Sequence, residues 1–280
     1  MLGRRVGVTR ISCPQVGVTL YHRREDTLHQ AGSSPPVQAV AIVPTYNEVE
    51  NLEPLVARLL GLDAGLAIIV VDDNSPDGTG QLADALAARH PEVQVIHRPA
   101  KLGLGTAYKA GFTSALAMAS PLVITMDADF SHDPRFIPAM LARAAEYDVV
   151  IGSRYVGGGG TEGCTLFRIA LSRGANLFAK TLLGLHASDC TAGFRCYRRQ
   201  VLESIHLDRI YSEGYSFLIE MLYWVQRAGF RVGEVPILFR NRRRGASKIS
   251  RREITRAMAT VLRLWLRRQG RMQPGRKPAC

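Results

Sequence analysis

Four times between Ala39 and Ile151, a short and almost wholly apolar run is followed by turn-forming residues and then by apolar residues at helical spacing. The runs 39–43, 68–71, 93–96, 122–126 and 149–151 are rich in Val, Ile and Leu with no polar alternation, the pattern of strands buried on both faces. The stretches 51–60, 80–89, 105–118 and 134–145 repeat apolar residues every three or four positions, as helices do, and Asp133-Pro134 supplies an N-cap followed by proline at the first helical position. Strand and helix alternating in this way predict a doubly wound α/β fold: a Rossmann-like, mostly parallel sheet with right-handed crossovers, flanked by helices.

The second half is less regular. It predicts a glycine run at 157–160, a helix over 166–183, a short strand near 193–197, a helix over 215–226, a strand over 232–238 and a basic amphipathic helix over 251–268. Residues 1–37 show no periodicity and end in Gly32-Ser33-Ser34-Pro35-Pro36. The expected organisation is therefore a flexible leader at 1–37, a catalytic domain at 38–250, and a basic helix and tail at 251–280.

The formal net charge of +12 calls for an anionic partner, and its distribution narrows the choice. Most of the excess lies after Phe239, where a series of arginines and two lysines faces the single acid Glu253. A near-neutral body with a basic end fits surface docking better than a coat for duplex DNA, so no nucleic-acid partner is expected; a solvated helix with a basic tail fits as well. Five cysteines (Cys13, Cys164, Cys190, Cys196, Cys280) form no C-x-x-C pair, which suits a reduced, cytoplasmic protein. No apolar run approaches the roughly 20 residues that span a bilayer, so a membrane would be met only at its surface.

In open α/β sheets the ligand sits beyond the carboxyl ends of the strands. Acids gather there: Asp72-Asp73 after the second strand, and Asp127-Ala128-Asp129 after the fourth. Two carboxylates two residues apart in extended chain point to one side. As hard oxygen donors they suit Mg²⁺ or Mn²⁺. Asp73 reads as ligand-facing and Asp77, in a run of turn formers, as a cap. Neither common phosphate-cradling glycine motif is present, which argues against a nicotinamide dehydrogenase or a P-loop nucleotidase. Arg242, Arg243, Arg244 and Lys248, hinged by Gly245, could neutralise a departing diphosphate. Arg168 and Ser172 share a helix face four residues apart and could hold a further anion, with Arg173 and Arg154 nearby in sequence.

The strings P-T-Y-N-E (44–48), V-D-D-N-S-P-D-G-T (71–79), K-L-G-L-G-T-A-Y (101–108), M-D-A-D-F-S-H-D-P (126–134), G-S-R-Y (152–155), S-R-G-A-N (172–176) and G-E-V-P-I (233–237) together resemble the dolichol-phosphate, or polyprenol monophosphomannose, synthases of glycosyltransferase family two. The resemblance implies a GT-A fold and inverting transfer of mannose from GDP-mannose to a polyprenyl phosphate lipid. It implies Pro44, Tyr46, Glu48, Val71 and Asp73 at the nucleoside, Asp127, Ala128 and Asp129 at the metal and diphosphate, and Arg154, Arg242 and Lys248 at the diphosphate or sugar. It also implies Arg168 and Ser172 at the acceptor phosphate, beside which the helix places Arg173. Where archaeal-like members place glutamine as a third metal ligand, this chain has Ser131, a weaker donor whose place water can take. No spanning helix follows the catalytic region, so the resemblance is to soluble members, held peripherally on the cytoplasmic face by a surface element or a separate membrane protein. From the residues alone, a family-two transferase using UDP-glucose or UDP-N-acetylglucosamine stays open, as does a non-enzymatic nucleic-acid or membrane-binding module built on the basic tail.

Overall fold

The computed structural model describes residues 8–13, 18–23, 37–62, 64–214, 216–241 and 251–268. Its strands are β1 (Val8–Cys13), β2 (Val18–Arg23), β3 (Ala39–Thr45), β4 (Leu66–Asp72), β5 (Val93–His97), β6 (Leu122–Thr125), β7 (Val149–Ser153), β8 (Gly160–Glu162), β9 (Arg195–Arg198), β10 (Val232–Pro236) and β11 (Leu238–Arg240). Its helices are α1 (Val49–Leu60), α2 (Thr79–Arg89), α3 (Leu104–Ala117), α4 (Ile137–Arg143), α5 (Leu166–Leu183), α6 (Arg199–Ser204), α7 (Ser216–Arg227) and α8 (Arg251–Arg268). Helices α5 and α8 have the bounds the periodicity predicts. The stretch at 134–145 opens instead as a 3-10 turn, Pro134–Phe136, because Pro138 has no N–H to continue the turn's hydrogen-bond ladder into α4. Asp133 Oδ1 caps that turn through Arg135 N at 3.1 Å, as its sequence position predicts.

A large sheet runs in the order β1-β2-β5-β4-β3-β6-β9-β7-β10. The hairpin β1–β2 adds antiparallel strands beside β5, within the stretch where no element was expected. Strands β5, β4, β3 and β6 are parallel neighbours, as are β7 and β10, but β9 is antiparallel to both β6 and β7. The uniformly parallel crossover series therefore stops at β6. A strand from the second half wedges in before β7, with Arg195 level with both Thr125 and Ile151. The loop leading into β9 thus lies on the same edge as the tips of β6 and β7.

Side-chain alternation divides the core into two layers. Val40 and Ile42 of β3 and Ile69 and Val71 of β4 face α3, α5, α6, α7 and α8. Ala39, Ala41 and Val43 with Ile68 and Val70 face α1, α2 and α4. Helix α3 lies so close to β3 that a Cβ on Gly111 would run into the Ile42 side chain. Gly111→Ala is expected to lower the urea midpoint, since an overpacking cost of about 1–3 kcal/mol exceeds the ~1 kcal/mol that alanine gains in helix propensity.

The strand expected over 232–238 is broken at Ile237. Strand β10 stays in the large sheet, while β11 leaves it to pair with β8. The apolar stripe that helical spacing gives α8 (Ala257, Met258, Val261, Leu262, Trp265 and Leu266) is also divided: Val261 is buried and Ala257 and Trp265 pack against the core, joined by Leu264 from outside the stripe, whereas Met258 and Leu262 are exposed. Part of that stripe therefore serves packing.

Candidate active site

Strand β6 ends at Thr125, and the chain bends through Ala128–Phe130, with Phe130 at φ 60°. The same-side placement expected from extended chain does not apply, because the Asp pair sits in a turn. Local bonds shape that turn. Asp129, 5% exposed, accepts Ser131 N at 3.0 Å through Oδ1. His132 Nδ1 accepts the Asp127 N–H at 3.0 Å, so a neutral His132 carries its proton on Nε2. The imidazole is buried and stacked on Phe194, with centroids 5.2 Å apart. The Asp127 carboxylate is 20% exposed at the rim. Ser131 Oγ is buried with no hydrogen-bond partner among the described residues. This donor set, two carboxylates and a spare hydroxyl, fits a hard divalent cation. No cluster of three His, Cys, Asp or Glu residues is gathered to hold one among the described residues, so substrate phosphate and water would complete its shell.

The neighbouring tips of β3 and β4 are stitched together by side chains. Asp72, 2% exposed, accepts Thr45 Oγ1 at 3.0 Å and Ser75 N and Oγ at 3.0 and 2.6 Å, which makes it a structural residue. Asp77 accepts Thr79 N at 3.1 Å and Val49 N at 3.2 Å, capping the starts of α2 and α1 together and fulfilling the capping expectation. Asp73 meets Arg98 Nη1 at 2.5 Å and Gly103 N at 3.3 Å, so the carboxylate expected to face a ligand already has a buried cation beside it. Burial pushes this carboxyl up in pKa, and the Arg98 guanidinium opposes the shift. Lys101 lies 3.9 Å over the Tyr46 ring, and Glu48 holds Asn51 Nδ2 at 2.8 Å. Val71 and Ala128 have buried side chains in the two core layers, so only their backbones can meet a ligand. Pro44, one residue inside the β3 tip, is half-buried beside them.

At the tip of β7, Arg154 is engaged by a residue sequence reasoning missed. Its Nε and Nη2 meet Asp189 Oδ2 and Oδ1 at 2.6 and 2.7 Å, and Nη2 also reaches Thr191 Oγ1 at 2.8 Å. Asp189 is fully buried; burial raises its carboxyl pKa, but the bonds from Arg154 outweigh that and hold it below its ordinary value. The role expected for Arg154 at diphosphate or sugar is thus left mainly to Nη1, which makes no hydrogen bond among the described residues. Asn176 fastens the same loop to α5, accepting Cys190 N at 2.6 Å and donating to Thr191 Oγ1 at 3.2 Å. Ser172 accepts Tyr155 OH at 2.8 Å, Arg173 stacks 5.7 Å from the Tyr155 ring, and Arg168 donates to Asn241 Oδ1 at 3.1 Å.

One ring joins the two halves. Phe239 of β11 lies 5.9 Å from His132 in the carboxylate turn and 5.3 Å from the Arg154 guanidinium. The sequence matches the profile "Glycosyl transferase family 2" over residues 40–205. It is 45% identical over 244 residues to the polyprenol monophosphomannose synthase of Mycolicibacterium smegmatis, covering 86% of this chain and 91% of that one. The chain belongs to glycosyl transferase family 2. This transferase is also 42% identical over 227 residues to the undecaprenyl-phosphate mannosyltransferase of Micrococcus luteus, covering 81% and 93% of the two chains. Its fold matches the crystal structure of glucosyl-3-phosphoglycerate synthase from Mycobacterium tuberculosis in complex with Mn²⁺, UDP and glucosyl-3-phosphoglycerate, with a TM-score of 0.60 at 19% identity over 89% and 88% of the chains.

Of the transferase's expected site residues, Arg242 and Lys248 lie outside the described residues, with Arg243, Arg244 and Gly245. Arg98, His132, Asp189, Asn176, Asn241 and Phe239 were not singled out. His132 and Asn176 carried a local signal, their places in the Asp-pair and S-R-G-A-N strings; the others reach the site only through packing.

Proposed function

We propose that this transferase moves mannose from GDP-mannose to a polyprenyl phosphate with inversion, giving a β-linked polyprenyl mannosyl phosphate and GDP. The observation that carries the reading is Phe239, which sets the carboxylate turn against the arginine and serine side of the cleft. Donor and acceptor phosphates can then be held on either side of one ring. The mannosyltransferase names of the two relatives above supply the sugar and the lipid.

The acceptor needs no base. A phosphate monoester, with a second pKa near ~6, is largely dianionic at neutral pH. Its oxygen forms the new bond to the anomeric carbon while the bond to the diphosphate breaks, and GDP leaves with the electron pair. Single displacement turns an α-linked donor into a β-linked product. Asp127 and Asp129, with Ser131 or water, would hold a Mg²⁺ or Mn²⁺ ion, which when bound neutralises diphosphate charge. The protein's own share is alignment: Tyr46, Glu48 and Asp73 at the nucleoside, Arg154 between the two phosphates, and Arg168, Ser172 and Arg173 at the acceptor.

No helix among the described residues is long and apolar enough to cross a membrane. Helix α5 nevertheless exposes Leu166 by 85% and Phe167 by 76%, and α8, packed beside it, exposes Met258 and Leu262 among arginines. This is the composition of a surface that rests on an anionic leaflet, and it supports peripheral attachment at the cytoplasmic face.

Purified protein incubated with GDP-mannose, a short polyprenyl phosphate and Mg²⁺ or Mn²⁺ is expected to form a β-mannolipid, with chelator abolishing it. A product of α configuration, or preference for UDP-glucose over GDP-mannose, overturns the reading.

A further inference from the structure

Tyr155 closes the string that begins at Gly152, yet the functional reading gives it no role. Its ring is in contact with two guanidiniums, 5.1 Å from Arg154 and 5.7 Å from Arg173, and its hydroxyl is 2.8 Å from Ser172 Oγ. A phenol is a stronger acid than an aliphatic alcohol and so is the better donor of the two. Ser172 Oγ therefore accepts, and its own hydrogen is left to point elsewhere.

Inside a helix that hydrogen ordinarily goes to the carbonyl four residues back. Thr113 does this with Lys109 O at 3.0 Å, and Thr181 in α5 with Leu177 O at 2.8 Å. Ser172 makes no such bond to Arg168 O among the described residues; its backbone carbonyl is taken by Asn176 Nδ2 at 2.9 Å. The serine is thus bonded by Tyr155 on one side and retains an unspent O–H beside Arg154, Arg168 and Arg173.

We propose that Tyr155 is a positioning residue for a phosphate monoester, fixing the Ser172 hydroxyl as a donor and spacing Arg154 and Arg173 around the anion. This rests on the reading of the site given above and adds to it what makes the acceptor pocket selective for phosphate. The ring packs by cation–π contact on the Arg154 guanidinium, which Asp189 already holds, and orders that of Arg173. Its hydroxyl sets the polarity of the Ser172 donor.

Tyr155→Phe separates the two roles, since it keeps the ring and removes only the hydroxyl. The expected result is an acceptor KM raised about tenfold, the scale of one hydrogen bond to a charged group, with the GDP-mannose KM and the melting temperature unchanged. In a Ser172→Ala background the same change is expected to add nothing, because both variants remove one interaction. Additive losses, or equal effects on both KM values, would overturn the proposal.

A binding titration of monododecyl phosphate without donor tests the pocket apart from catalysis. The wild type is expected to bind about tenfold more tightly than Tyr155→Phe; equal affinities, or no binding by the wild type, overturn the proposal. If the alkyl phosphate binds in a Tyr155-dependent way while no mannolipid forms, the transferase reading falls and this site stands.

Discussion

Replacing Asp127 or Asp129 with asparagine is expected to lower mannose transfer at saturating substrate by about a hundred- to a thousandfold, the scale seen when one charge-stabilising group is lost from a transition state. Asparagine keeps the size of the side chain and removes the charge that a hard cation requires. The two positions are not equivalent. Asp129 is 5% exposed and braces its own turn through Ser131 N, whereas the Asp127 carboxylate is at the rim with its backbone N–H held by His132. Asp129→Asn should therefore also shift the melting temperature slightly, and Asp127→Asn should leave it in place. Initial rates of mannolipid formation with labelled GDP-mannose decide the point. A variant retaining more than a tenth of wild-type turnover would exclude a shared carboxylate grip on the donor.

The second large effect lies outside the reacting groups. Asp189→Ala is expected to destabilise the fold by about 3–5 kcal/mol, because it leaves the Arg154 guanidinium in a nearly dry pocket without its counter-charge. Arg154 and Asp189 side chains are 14% and 0% exposed, so solvent screens the pair little. For a chain of this size that amounts to a fall on the order of 10 °C in melting temperature. The pH dependence follows from the sign of the shift. The Asp189 carboxyl is held below its ordinary value, so its contribution is present above the unfolded pKa of ~3.9 and fades as pH falls through the lower folded value. The wild-type advantage should be full at pH 7 and shrink below about pH 4. Replacing both partners, Arg154→Met with Asp189→Leu, should restore much of the stability while transfer stays lost. Equal melting temperatures for wild type and Asp189→Ala would show that the pair contributes nothing to the fold.

Strands β3 to β6 and helices α1 to α3, α5 and α8 are legible because each buries a periodic apolar face, and periodicity is a local property. Asp127 and Asp129 are legible because a polar pair at the end of an apolar run has few structural uses. Asp73 was singled out from the sequence, but its buried partner Arg98 was not. Nothing in His97-Arg98-Pro99 distinguishes that arginine from a surface one; only the parallel pairing of β4 with β5 brings it there. Arg154 shows the same limit, since its role depends on Asp189, 35 residues away.

The chain's local chemistry by itself determined the α/β class and the edge of the sheet on which the carboxylates gather. The tertiary structure alone decided which charges are already engaged. The antiparallel entry of β9 brings the 189–194 loop to the tips of β6 and β7, and a break at Ile237 carries Phe239 between them. Hydrogen bonds and ring contacts between residues far apart in sequence leave no local trace, because the geometry that makes them exists only once the sheet has closed.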